Sequence, residues 1–322
     1  MKSRIAIDSG DDAPSDGFSR RELLGSLLAL GVAPFLGPPE ARAQSPSALL
    51  TRRIPSSGEA LPLVGLGSWI TFNVGNDQGL RDECTEVMGA FFESGGRLID
   101  SSPMYGSSQS VIGRGLAKLK RTSQLFAADK VWTADGGRGA AQIEESRRNW
   151  GVSRFDLVQV HNLLAWERHL PTLFAMKSAG RIRYVGITTS EGRRHDLFEK
   201  IMRSQPLDFI QLSYNPIDRE AERRLLPLAK DRGMAVLVNR PFQQGRLTRH
   251  LARHPLPGWA AETGARTWAQ LILKFIASHP AVTCAIPATT IPAHARENMG
   301  AARGVLPGEA IRQRIADTIG RI

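Results

Sequence analysis

The sequence predicts an α/β fold, a parallel (β/α)8 TIM barrel. Three observations carry that expectation. Eight apolar, strand-like runs alternate with helical stretches between residues 61 and 286, which is the pattern of a parallel sheet joined by crossover helices. Residues 44–322 are enough chain for one barrel, which typically takes ~250 residues. Finally, four polar residues of complementary chemistry stand at or just after strand ends, where a barrel gathers side chains into one pocket. They are Asp100 and Tyr105 in Asp-Ser-Ser-Pro-Met-Tyr-Gly, Lys130 in Ala-Asp-Lys-Val-Trp, and His161 in Val-Gln-Val-His-Asn.

The first strand is read at residues 61–66, above a short hairpin at 51–57. Strands follow at 97–100, 124–130, 155–161, 184–188, 209–213, 235–239 and 282–286. Helices fill the intervals at 81–94, 108–119, 142–150, 170–179, 197–204, 220–232 and 267–278. A closing helix spans 307–322. No linker and no internal repeat interrupts the series.

Residues 1–43 are set apart from the fold. Ser19-Arg20-Arg21-Glu22-Leu23-Leu24 is a twin-arginine pattern, followed by a modestly apolar stretch from Leu23 to Gly37 and by Ala41-Arg42-Ala43, an Ala-x-Ala cleavage site. The apolar stretch is too short and too interrupted for a stable membrane span. The plain alternative is a disordered tail holding a chance arginine pair. Charge, apolar stretch and cleavage site in the right order favour a signal read by the twin-arginine export machinery, and hence a periplasmic mature chain, residues 44–322. That route carries folded proteins, often with cofactor bound.

The formal charge is +11 over 322 residues. The first 43 residues hold five basic and six acidic side chains, so the excess belongs to the remainder. Its basic residues are dispersed, with no patch interleaved with aromatics, which argues against nucleic-acid binding. The seven His residues show no metal-ligand spacing, so no metal site is expected. Cys84 and Cys284 both fall in apolar elements and read as buried thiols rather than a disulfide.

The four polar residues make one chemical unit. A free phenol has a pKa near ~10 and is a poor acid at neutral pH. A Lys ammonium beside it favours the phenolate and lowers that pKa. Lys is seldom buried unpaired, and Asp129 alternates to the other strand face, so Asp100 is the expected partner of Lys130. A neutral His161 at the mouth hydrogen-bonds a substrate oxygen. Such a unit protonates a carbonyl oxygen while hydride reaches the carbon, help typically worth roughly 10²–10⁴ in rate. Taken singly, Asp100 also reads as a turn residue and His161 as a satisfied strand-end histidine.

Asp100-x4-Tyr105-Gly106, Lys130 and His161-Asn162 resemble the tetrad of the aldo-keto reductases. Leu63-Val64-Gly65-Leu66-Gly67-Ser68-Trp69 resembles that family's first strand, Arg181–Ile187 its fifth, and Ala285-Ile286-Pro287-Ala288-Thr289 with Arg296-Glu297-Asn298 its last strand and following helix. The resemblance covers about residues 60–300. It implies a small-molecule carbonyl substrate and NADPH, with NADH possible, held across the barrel mouth without a Rossmann unit. It places cofactor contacts on Thr188, Thr189, Gln211, Asn239, Arg240, Gly245, Leu247, Thr289, Glu297 and Asn298. The chain departs from the family where its aromatic stacking residue falls on Asn239 or Arg240. The cations for the 2′-phosphate fall on Ala288 and His294, for which Thr289 and Arg296 are candidate substitutes. A non-catalytic nucleotide-binding or redox-sensing barrel is the alternative, but it has no need of a Lys-tuned phenol. A hydrolase or lyase would want paired carboxylates or metal ligands at strand ends.

Overall fold

The computed structural model describes residues 48–322. Residues 1–43, with the twin-arginine pattern and the cleavage site, lie outside the described residues, as does the expected boundary at 43/44. Strands β1 (Thr51–Arg53) and β2 (Ala60–Pro62) form an antiparallel hairpin. Eight parallel strands then follow in unbroken sequential order: β3 (Leu66–Gly67), β4 (Leu98–Asp100), β5 (Phe126–Val131), β6 (Phe155–His161), β7 (Ile182–Thr188), β8 (Phe209–Ser213), β9 (Ala235–Asn239) and β10 (Cys284–Ala285). Bridges between Val64 and Ala285 and between Gly67 and Ala288 join the first strand to the last. Gly67 is required there, because a Cβ would meet Ile286 O at 2.7 Å.

The helices are α1 (Gln78–Glu93), α2 (Ser108–Leu119), α3 (Gly139–Trp150), α4 (Trp166–Ser178), α5 (His195–Ser204), α6 (Leu225–Asp231), α7 (Arg246–Leu251), α8 (Trp268–Ser278), α9 (Pro292–Gly300) and α10 (Glu309–Arg321). Asp77 caps α1 by accepting from the Leu80 amide, which starts the helix earlier than the sequence suggests. Among the described residues no helix is long and apolar enough to cross a membrane.

Two differences from the sequence reading have local causes. The first predicted strand divides, its start pairing with β1 and its end with β4. Pro62 explains the division, since a residue without an amide proton cannot continue a central ladder. The helix expected at 220–232 is a 3-10 turn, Glu220–Glu222, followed by α6. Pro227 falls in the first turn of α6, where its missing amide has no helical partner to lose.

Strand alternation sorts the side chains into two cores. One cluster, including Leu98, Phe126, Leu157, Tyr184 and Phe209, fills the barrel interior, with Ile54 and Leu61 of the hairpin segment among it. Phe126 stacks on Tyr184, with ring centroids 5.9 Å apart, and lies tilted against Phe209 at 6.0 Å. The larger cluster takes the opposite parity, such as Ile99, Val158, Val185, Ile210 and Val236, and packs against the helices. Toward their C-terminal ends the inward positions of β4 to β9 turn polar: Asp100, Lys130, His161, Thr188, Gln211 with Ser213, and Asn239. An apolar floor therefore supports a polar layer at the C-terminal rim. Cys84 and Cys284 are buried free thiols.

Candidate active site at the C-terminal end of the barrel

The polar layer lies at the floor of a cavity of about 590 Å³, lined by Asp100, Tyr105, His161, Thr188 and Gln211 among others. Lys130 reaches it from β5, 1% exposed. Its Nζ donates to Asp100 Oδ2 at 2.5 Å and to the Ser101 carbonyl at 2.7 Å. The same Nζ lies 5.1 Å from the centre of the Tyr105 ring. Asp100 Oδ1 accepts from Gln211 Nε2 at 2.9 Å and more weakly from Gln159 Nε2 at 3.4 Å. Asp129 points away as its parity requires, bonded to Gln109 at 2.8 Å and to the Lys130 amide at 2.7 Å.

Tyr105 is carried by a tight loop after β4. The Tyr105 amide donates to Ser102 O at 2.9 Å, and the Met104 amide to Ser102 Oγ at 3.1 Å. Gly106 follows at φ +59°, where a Cβ would meet Asn73 Oδ1 at 2.2 Å. Only glycine satisfies both conditions. The Tyr105 ring meets His161 edge-on, centroids 5.7 Å apart at 86°. His161 Nδ1 shares a 2.7 Å hydrogen bond with Ser102 Oγ.

The charges follow from this geometry. Burial drives His161 down to about 2, with the Lys130 charge adding to the effect, so the ring stays neutral. Burial alone would lower Lys130, but Asp100 and Tyr105 reverse it, and the ammonium stands above its ordinary pKa. For Tyr105 the sequence expectation needs correction. Burial is the largest influence and raises the phenol; Lys130 pulls it back only in part. The free protein therefore holds a protonated Tyr105 at neutral pH, the state a proton donor needs. Lys130 matters for the phenolate left after the proton has gone.

The residues expected to hold a cofactor divide between two adjoining cavities. Thr188, Thr189, Gln211, Asn239, Arg240, Gly245 and Thr289 line the cavity above Tyr105. Glu297 and Asn298 line a second cavity of about 500 Å³, which shares Phe242, Gly245, Ala288, Thr289 and His294 with the first. Those shared residues make the two cavities neighbours along one wall. Leu247 lines neither cavity: as the second residue of α7 it is 6% exposed in the apolar core. Arg296, a candidate phosphate ligand, pairs instead with Glu93 at 3.2 Å and lines neither cavity.

Three features were not legible from the residues alone. Gln211 spends both ends of its amide inside the protein, accepting from Thr188 Oγ1 at 2.9 Å while donating to Asp100. Asn239 donates to Thr189 O at 2.9 Å and accepts from Ser213 Oγ at 2.7 Å. Arg266, in the unremarkable loop before α8, lines the second cavity. No local pattern marks it, because only the packing of α8 beside α9 brings it there.

The model of the aldo/keto reductase family matches residues 63–314 of the chain. Methylglyoxal reductase YeaE of Escherichia coli (strain K12) is 28% identical over 255 residues, covering 77% of this chain and 88% of that protein. An NADH-specific methylglyoxal reductase of the same strain is 30% identical over 234 residues, 62% of this chain and 69% of that one. Aldo-keto reductase YhdN of Bacillus subtilis (strain 168) is 30% identical over 212 residues, and the match spans 61% of this chain and 62% of YhdN. Among solved structures, an aldo/keto reductase from Klebsiella pneumoniae in complex with NADP and acetate superposes with a TM-score of 0.70. It shares 24% identity, over 84% of this chain and 96% of that one, and shows a common fold.

The charges can be read by ultraviolet titration. Tyr105, Tyr184 and Tyr214, the three tyrosines of the chain, all stand above the ordinary phenol value. Alkaline titration of the native protein is expected to show tyrosinate only above the ordinary ~10. A phenolate forming near neutral pH would mean that Lys130 outweighs burial at Tyr105.

Proposed function

The chain belongs to the aldo/keto reductase family, and we propose that it is an NAD(P)H-dependent reductase of aldehydes and ketones with Tyr105 as the proton donor. The observation that carries this reading is the Lys130 ammonium held between the Asp100 carboxylate and the Tyr105 ring beneath an open cavity. The nicotinamide cofactor, when bound, supplies the hydride that no side chain provides. Thr188, Gln211 and Asn239 stand where the deep cavity would hold one of its ends, and Thr289, Glu297, Asn298 and Arg266 where the second cavity would hold the other.

The protein's own residues manage the oxygen. A carbonyl entering the cavity meets Tyr105 and His161 together. As the carbon takes hydride, Tyr105 gives its proton to the oxygen, and C=O becomes CH–OH. The phenolate left behind rests against Lys130 until it recovers a proton from solvent. Neutral His161 directs the oxygen without competing as an acid. Trp69, Ile70 and Met104 form an exposed apolar rim on the same cavity. Ile70 holds a φ of +64°, a costly conformation for a β-branched residue. A rim of this kind suits a small carbonyl compound with an apolar substituent, and the named methylglyoxal reductases are in keeping with that size.

Tyr105→Phe is expected to keep the fold and nicotinamide binding while losing roughly 10²-fold or more in methylglyoxal or aliphatic aldehyde reduction. Lys130→Met is expected to lose rate without recovery at high pH, because its phenol rises further still. Near-wild-type kcat in the Tyr105 variant at neutral pH would remove Tyr105 from the role of acid.

For the cofactor, NADPH is the first choice with weak discrimination. Ala288 offers no charge at the expected phosphate position, and Arg296 is engaged with Glu93. His294 and Arg266 remain at the second cavity. A charge-assisted hydrogen bond is worth ~1.5–3 kcal/mol, so loss of two cancels most of a preference. NADPH is expected to lead NADH by less than about two decades, roughly 2.7 kcal/mol. Dissociation constants from quenching of Trp fluorescence decide this. A ratio far above a hundredfold, or a clear NADH preference, would contradict it.

The twin-arginine pattern at Ser19–Leu24 and the Ala41-Arg42-Ala43 site support export by the twin-arginine machinery to the periplasm, where the enzyme would arrive folded with its cofactor. The family match begins at residue 63, beyond that segment. Arg20→Lys with Arg21→Lys is expected to leave active, unprocessed protein in the cytoplasm. Mature-sized protein in the periplasm of the double variant would rule the route out.

A further inference from the structure

We infer that Ser102 sets the tautomer of His161, donating its hydroxyl proton to Nδ1 so that the ring proton stands on Nε2 and is offered to the substrate oxygen. The inference rests on the reading of the cavity as a carbonyl-reducing site. Ser102 is 0% exposed and His161 5%, and their Oγ and Nδ1 lie 2.7 Å apart. A serine hydroxyl has one proton and two lone pairs. One lone pair is taken by the Met104 amide, 3.1 Å away.

Two arrangements of the shared hydrogen bond then remain. If Nδ1–H donates to Oγ, the hydroxyl accepts twice and its own proton has no acceptor among the described residues. A buried donor left in that state is rare in folded proteins. If Oγ–H donates to Nδ1, every donor at the site has its partner. The second arrangement is the one the packing satisfies. A doubly protonated ring is opposed by burial and by Lys130.

The consequence lies on the other side of the ring. No described residue hydrogen-bonds His161 Nε2, and His161 lines the cavity. A carbonyl oxygen only accepts hydrogen bonds, so it needs a ring N–H and is repelled by a ring lone pair. The oxygen also gains negative charge as hydride arrives, and a fixed donor therefore binds the transition state more tightly than the ground state. Ser102 touches neither substrate nor cofactor in this account. It is a positioning residue that acts through His161.

The test combines nitrogen NMR with kinetics. In protein labelled with ¹⁵N-histidine, His161 of the wild type is expected to show a protonated Nε2 and an unprotonated Nδ1 through neutral pH. In Ser102→Ala the two tautomers should mix, and kcat/KM should fall roughly tenfold, mostly through kcat, while Tm drops by only a few degrees for the two hydrogen bonds lost. Ser102→Thr, which keeps the hydroxyl, should restore both the spectrum and the rate. A wild-type ring protonated on Nδ1 overturns the inference, whatever the variants do. So does a Ser102→Ala protein that keeps Nε2–H and a kcat/KM within about twofold of wild type. If the wild-type tautomer is as expected but no carbonyl compound is reduced, the role of Ser102 stands and the reading of the site falls.

Discussion

A lysine ammonium placed at the mouth of a barrel, almost wholly out of water, has to be neutralised where it stands. Lys130 meets that requirement with Asp100 at 2.5 Å and the Ser101 carbonyl at 2.7 Å. The surrounding polar layer follows from this pair. Asp100 keeps its second oxygen satisfied through Gln211 and Gln159, and Gln211 is held in turn by Thr188. Removing either charge would strand the other in a buried site, which typically costs ~3–5 kcal/mol. An apolar pair of equal volume would be simpler to fold. The ion pair makes sense as a source of field, directed at the Tyr105 phenol and at His161.

That field acts differently on the two neighbours. At His161 it reinforces burial, and both keep the imidazole neutral. At Tyr105 it opposes burial and does not overcome it. The phenol stays protonated while the protein waits, and the ammonium is in place for the phenolate once a proton has been given up. Acid and partner are thus separated in time rather than by a large shift of the resting pKa. Water-poor surroundings strengthen each of these effects.

The rim of the site carries much of the unusual backbone. Ile70, Asn162, Glu191, Arg240 and Gln244 line the cavity and have positive φ without being glycine. Such conformations persist only where the surroundings impose them, and they concentrate at functional loops. Two of these loops are tied together by the Arg240–Glu191 ion pair, with Arg193 on the same carboxylate at 2.7 Å. The amides and hydroxyls of Thr188, Thr189, Gln211 and Asn239 are already bonded within the protein. A cofactor lying over them would meet a preorganised surface, and would have to share or displace those bonds.

The sequence by itself determined the alternation of strands and helices, and through it the barrel. Parity along each strand also separates Asp100 and Lys130 from Asp129, so the central ion pair is legible in the sequence. Short-range pattern suffices there because strand periodicity is local. It failed where a residue's partner is set by packing between elements far apart in the chain. Arg266 reaches the second cavity, Arg296 turns to Glu93, and Leu247 sinks into the core, none of which neighbouring residues specify. The balance at Tyr105 was likewise a tertiary matter. A lysine nearby can be read from strand ends, but how much water the fold removes from the phenol cannot. Burial depends on the whole barrel, and here it outweighs the nearest charge.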